Sequence, residues 1–265
     1  MMMIWAISGV YVNAFVEIYL HETVFGPNQL EYEPLWDIYE LFGEERNGID
    51  GLFSFTERAM LFFLICYIFL LALSPNRQVI IRRFCFLGGL IYFYRALFIS
   101  VTTLPPTRKL VGECSRPQTS GTIGELLIRT FFFVLTGGFK MNQDGNNICG
   151  GYLFSGHTSI IILFSRFVCN YSSKKLPRSF KYGLKVLEVL SIVCIILAHE
   201  HYTIDIITAW FLMTREMWIY TSLLQTQDEN LNENIALTNV WWSSFFEWIE
   251  EDLPRDEFYL PKENF

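Results

Sequence analysis

Two histidines and one aspartate carry the types and spacing of a nucleophile and acid–base set. His201 and Asp205 lie four residues apart, so a helix would place both on one face. A carboxylate there can accept one imidazole N–H and fix the tautomer, which leaves the other ring nitrogen basic and nucleophilic. His157, in the run Phe154-Ser155-Gly156-His157-Thr158, offers a second imidazole that can protonate a leaving alkoxide. A lone histidine would read as an interfacial group satisfied by hydrogen bonds. Two histidines with an i+4 Asp at one depth favour catalysis.

That common depth follows from the elements around them. A membrane helix needs roughly 20 predominantly apolar residues, and six stretches approach this: 1–20, 53–73, 84–104, 152–169, 183–198 and 202–224. His157 stands just inside the fourth. His199, His201 and Asp205 stand where the fifth ends and the sixth begins. Because the fourth and fifth stretches run in opposite directions, His157 and His201 must share one membrane face, whichever way the chain is inserted. Ionisable groups at such positions are costly and mark function.

The expected fold is therefore all-α: a polytopic membrane unit of six transmembrane helices over 1–224, then an acidic, aromatic tail over 225–265. Residues 1–20 lack the basic start and cleavage site of a signal peptide, so they read as a retained span. Arg77, Arg82 and Arg83 lie between the second and third spans. Lys174, Lys175, Arg178, Lys181 and Lys185 follow the fourth. These loops should be cytosolic, which makes both termini cytosolic and puts 21–52 and 105–151 on the lumenal or exterior side. Residues 126–139 are apolar but short, and read as an interfacial helix more readily than as a seventh span. Cys114 and Cys149 share the loop on the oxidising side, where they can pair.

Composition supports a membrane protein. Of 265 residues, 52% are hydrophobic and only 18% charged, against about 25% charged in soluble domains. Net charge is −7, but residues 21–52 carry −7 and 225–265 carry −8, which leaves +8 on the apolar remainder. No nucleic-acid-binding pattern survives that distribution. The tail's Val240-Trp241-Trp242 and Phe245-Phe246-Glu247-Trp248-Ile249 read as an interfacial anchor with a free acidic terminus, the alternative being a partner-docking segment. Removing 239–265 is expected to leave catalysis largely intact.

Ser155-Gly156-His157 and His201-x-x-x-Asp205 resemble two signature motifs of the type 2 phosphatidic-acid phosphatase superfamily. Within it the likeness to sphingomyelin synthases is closer. Residues 149–158 (CGGYLFSGHT) resemble that family's third motif, and 199–205 (HEHYTID) with Thr214-Arg215 its fourth. Tyr92-Phe93-Tyr94-Arg95, continuing to Val101-Thr102-Thr103-Leu104-Pro105, resembles the second. Pro34-Leu35-Trp36-Asp37 is a looser echo of the first. The resemblance covers about residues 1–224. Gly151 stands where the family usually carries an acid, and the sequence begins almost at its first span.

The resemblance implies an enzyme, with ceramide, phosphatidylcholine or phosphatidylethanolamine, and diacylglycerol as lipid partners. It would move a phosphocholine or phosphoethanolamine head group onto the primary hydroxyl of ceramide through a phospho-histidine. His201 would be nucleophile, Asp205 its orienting group and His157 the acid and base; no metal or cofactor is called for. Arg95 is the candidate for the phosphate side, its structural alternative being an ion pair with Glu17 or Glu57. Lys109 and Arg116 reproduce the superfamily's K-x6-R-P spacing. Glu200, Tyr152 and Tyr202 flank the motif histidines, and a carboxylate at 200 can bind an ethanolamine ammonium through charge-assisted N–H bonds. The expected location is the Golgi, with endoplasmic reticulum or plasma membrane as alternatives and the site on the lumenal face; a homo-oligomer is compatible. Two other readings stay open. A lipid phosphate phosphatase on the same scaffold is disfavoured because Ile195 replaces the Arg that family places six residues before its nucleophile. The other is a catalytically silent ceramide-binding or scaffold protein.

Overall fold

The computed structural model describes residues 2–23, 35–38, 40, 46–107, 122–135, 151–172, 177–228 and 240–250. Among them are eight helices and no strand: α1 (Met2–Thr23), α2 (Arg46–Leu73), α3 (Arg77–Val101), α4 (Ile123–Leu135), α5 (Gly156–Tyr171), α6 (Arg178–Leu197), α7 (Thr203–Asp228) and α8 (Ser243–Glu250). Three are long and apolar enough to cross a membrane: α1, the Gly51–Leu73 part of α2, and α3, at 22, 23 and 25 residues. At about 1.5 Å per residue these exceed the roughly 30 Å of a hydrocarbon core. The 13 residues of α4 reach only about 20 Å. That helix lies against α1, with Leu126 and Thr130 buried and Arg129 paired to Glu22.

Helix α3 is the packing centre, flanked by α1, α2, α5 and α7. Its contact with α1 is close because two glycines meet there. A Cβ on Gly9 would come within 2.7 Å of the Gly89 carbonyl oxygen, so the backbones touch as small residues allow in membrane helix pairs. Trp5 Nε1 donates to the Phe86 carbonyl across the same seam (3.1 Å). Inside, Phe63, Phe86, Leu90, Phe154 and Ile161 are fully buried. Outside, the bundle is apolar too: Ile4, Ile68, Phe69, Val189 and Phe211 are all at least half exposed. A surface of that kind is untenable in water and suits lipid. With its long apolar helices it marks an integral membrane protein.

The tail helix departs from the expectation of a segment laid on the membrane surface. Trp242, Phe246, Ile249 and Glu250 are buried against the body, Trp242 and Phe245 packing on Phe86 and Phe246 on Tyr220. Glu250 chelates Arg83 with both oxygens (2.6 and 3.0 Å) and accepts the Tyr220 hydroxyl, while Tyr171 bonds the same guanidinium (3.2 Å). An aromatic amphipathic sequence serves a membrane interface and a protein groove equally well. The buried acid is what commits this one to the groove. Of its large hydrophobic residues, Trp241 and Trp248 are the exposed ones.

Candidate active site

Helix α5 begins where Ser155 caps it: the Ser155 hydroxyl accepts the Thr158 N–H (3.3 Å), a local bond that satisfies one of the helix's free amides. The cap leaves His157 on the first turn, its ring 5.4 Å from Phe53 of α2. Helix α6 ends with His199 in the left-handed region (φ 56°), an unusual conformation for a residue other than glycine and one that stops helices. The reversal brings Glu200, His201 and Tyr202 back toward α7. The rings of His157 and His201 then lie 6.1 Å apart.

His201 Nδ1 meets Asp205 Oδ2 at 3.2 Å, and Asp205 is fully buried. The carboxylate is held by two further donors, the Leu153 N–H on Oδ1 (2.8 Å) and the Tyr202 N–H on Oδ2 (3.2 Å). It cannot swing, and a carboxylate in this place is an acceptor for a proton carried on Nδ1. Nε2 is left with its lone pair available. Leu153 reaches Asp205 from a left-handed backbone (φ 87°). The Ser155 N–H donates to the Asp205 carbonyl (3.2 Å). The start of α5 and the start of α7 are thus tied together at the aspartate. Both helix N-termini converge there, with amide dipoles that favour an anion.

The remaining sequence candidates are placed as follows. Tyr152 is buried with its ring 6.2 Å from that of His201 and 6.0 Å from that of Tyr202. Glu200 is close enough to act electrostatically on the Tyr152 phenol. The Tyr202 hydroxyl is engaged by backbone, donating to Pro106 (3.3 Å) and accepting from Leu35 (3.1 Å). Arg95 pairs with Glu17, not Glu57, at 2.9 Å. Tyr94 points elsewhere, donating to Glu216 (2.9 Å) and accepting from Trp241. Lys109, Arg116, Cys114 and Cys149 lie outside the described residues.

Sequence reasoning passed over two supporting residues. Asp37 accepts the Thr203 N–H and so caps α7, the helix that carries Asp205. Its only signal was membership of the loose first motif. Phe53, against His157, gave none.

Residues 148–222, which include both histidines and Asp205, match the family model PAP2 superfamily C-terminal. The histidine pair therefore belongs to a PAP2-type domain on a membrane helical bundle. Human phosphatidylcholine:ceramide cholinephosphotransferase 1 is 30% identical over 251 residues, covering 94% of this chain and 59% of that protein. Human sphingomyelin synthase-related protein 1 is 34% identical over 257 residues, covering 94% and 57%. Phosphatidylcholine:ceramide cholinephosphotransferase 2 of Macaca fascicularis is 32% identical over 183 residues, covering 67% and 48%. The chain belongs to the sphingomyelin synthase family, and it spans a little over half the length of the first two relatives.

Proposed function

We propose that this protein transfers a phosphocholine or phosphoethanolamine head group from a glycerophospholipid to the primary hydroxyl of ceramide. The observation that carries the reading is the opposed His157–His201 pair, with His201 locked by a buried Asp205. A phosphorus held between two such rings lies within reach of a nucleophile on one side and a proton donor on the other.

In the first step His201 Nε2 attacks phosphorus and the bond to the diacylglycerol oxygen breaks. Protonated His157 delivers its proton to that oxygen, releasing diacylglycerol. In the second step neutral His157 takes the proton of the ceramide hydroxyl as its oxygen attacks phosphorus. The N–P bond breaks and His201 is regenerated. Asp205 keeps the proton on Nδ1 throughout and stabilises the charged ring. The convergent N-termini of α5 and α7 favour the charge on the phosphoryl oxygens.

Six membrane crossings with both termini cytosolic, and a site on the lumenal face, complete the reading. Support comes from the chain direction of α5 and α6 and from the basic residues 174–185. The Golgi is the proposed location, and ethanolamine transfer is proposed to be permitted through Glu200 beside Tyr152. The test is incubation of membranes containing the chain with labelled ceramide and defined donors. A labelled sphingophospholipid with matching diacylglycerol supports the proposal. Phosphate release from phosphatidic acid without such a product would replace it with a phosphatase.

A further inference from the structure

Arg95 of α3 gives every donor it has to the protein. A guanidinium carries five N–H groups. Nε binds the Phe154 carbonyl (3.0 Å). Nη1 binds Asn13 Oδ1 (2.8 Å) and Glu17 Oε2 (2.9 Å). Nη2 binds the Gly151 carbonyl (3.2 Å) and Glu17 Oε1 (3.5 Å). No N–H is left for a phosphate oxygen. The two carbonyls it grips bracket the turn whose Leu153 N–H fixes Asp205 and whose continuation caps the helix of His157.

Position 151 lies directly on the ion pair. A Cβ there would stand 2.5 Å from Arg95 Nη2 and 2.5 Å from Glu17 Oε1. The glycine is not in the left-handed region, so it is space and not backbone conformation that excludes a side chain. Both partners are largely buried, at 10% and 18% side-chain exposure for Arg95 and Glu17. A buried cation loses heavily when its counter-charge is removed.

We propose that Glu17 and Gly151 are a matched pair: the carboxylate that neutralises and aims Arg95 arrives from α1, and the bare 151 position makes room for it. Arg95 is accordingly a positioning residue, acting through the 151–154 turn on Asp205 and His157. The carboxylate can then be moved. Delivered from position 151, it takes over the place of the Glu17 carboxylate, with Arg95 Nη2 at the end of its side chain shifting to admit the new Cβ.

This deepens the transfer reading and rests on it. The test compares Glu17→Ala, Gly151→Asp and their double variant as full chains in phospholipid vesicles. Each single variant should lower kcat about a hundredfold, as small misplacements of reacting groups do, while KM for the donor lipid stays within about twofold. The double variant should recover to within about tenfold of wild type, a non-additivity expected of residues in contact. Additive loss in the double variant would overturn the pairing. A raised donor KM at unchanged kcat would overturn the positioning role and make Arg95 a phosphate ligand. Melting temperatures in detergent read the same pairing without any turnover: both singles lower, the double restored. If wild type transfers nothing, the function fails while the melting data still decide the pair. Gly151→Ala covers misfolding of the Asp variant: its methyl crowds both Arg95 Nη2 and Glu17 Oε1, so it should lower the melting temperature more in wild type than in Glu17→Ala, where only the Arg95 contact remains; equal drops in the two backgrounds would contradict the proposal.

Discussion

His157 and His201 face each other with ring centroids 6.1 Å apart, although a helical hairpin separates them in the chain. Each comes from a helix start or approach, and the two starts are bonded through Asp205. The gap between the rings is set by backbone contacts and not by loose side chains. Such preorganisation suits the proposed transfer, in which a phosphoryl group moves between two partners without rearrangement of the site.

Asp205→Asn tests the orienting role. The amide keeps the shape but removes the anion that holds the proton on His201 Nδ1, and it turns an N–H donor toward the donors now filling that site. Turnover is expected to fall on the order of 10⁴-fold, the scale of a wrong tautomer in an analogous triad. Membrane insertion should be unchanged. Assaying transfer and insertion on the same membranes separates the two, and near-normal turnover would remove Asp205 from the mechanism.

Asp37→Ala removes the acceptor for the Thr203 N–H. Loss of a helix cap costs about 0.5–2 kcal/mol, and here the frayed turn is the one leading to Asp205. Both a lower melting temperature and a lower kcat are expected, with Asp37→Asn milder than Asp37→Ala because an amide oxygen can still cap. Equal effects of the two substitutions would count against the capping role.

The proximity of His157, His201 and Asp205 was legible in the sequence because its geometry is local or forced. The i, i+4 spacing does bring His201 to Asp205, although His201 stands two residues before α7 and not on it, and two spans of opposite direction return the chain to one face. What escaped were contacts between distant segments. Glu17 was one of two partners named for Arg95, but only packing of α1 on α3 selects it over Glu57. Asp37 meets Thr203 across a sequence separation of 166 residues. The tail was harder still. Trp242, Phe246 and Ile249 carry the same amphipathic signature whether they meet lipid headgroups or a protein groove, and the deciding pair, Arg83 with Glu250, lies 167 residues apart.

That pair makes the tail part of the folded body. Glu250→Ala leaves the Arg83 guanidinium, 5% exposed, without its counter-charge, and should destabilise by about 3–5 kcal/mol. Replacing both residues, as Arg83→Met with Glu250→Leu, should cost much less. Thermal unfolding in detergent checks this, and an unchanged melting temperature for Glu250→Ala would contradict a docked tail. Deleting 240–250 should accordingly lower stability.

Glu200→Asp probes head-group choice. Shortening the carboxylate by one methylene beside Tyr152 should reduce the phosphoethanolamine product relative to the phosphocholine product when both donors are supplied. Competition between the two donors in mixed vesicles reads the ratio directly. A ratio that does not change would exclude Glu200 from head-group recognition.

The central claim is that the head group passes through His201, and trapping that intermediate tests it most directly. Vesicles holding the chain and a donor lipid labelled in its phosphate, but no ceramide, should transfer acid-labile, alkali-stable label to the protein, as a phospho-histidine requires. Ceramide added afterwards should release it as labelled sphingophospholipid, and His201→Ala should take up none. Full transfer activity with no protein-bound label, or label and turnover that persist in His201→Ala, would contradict the account.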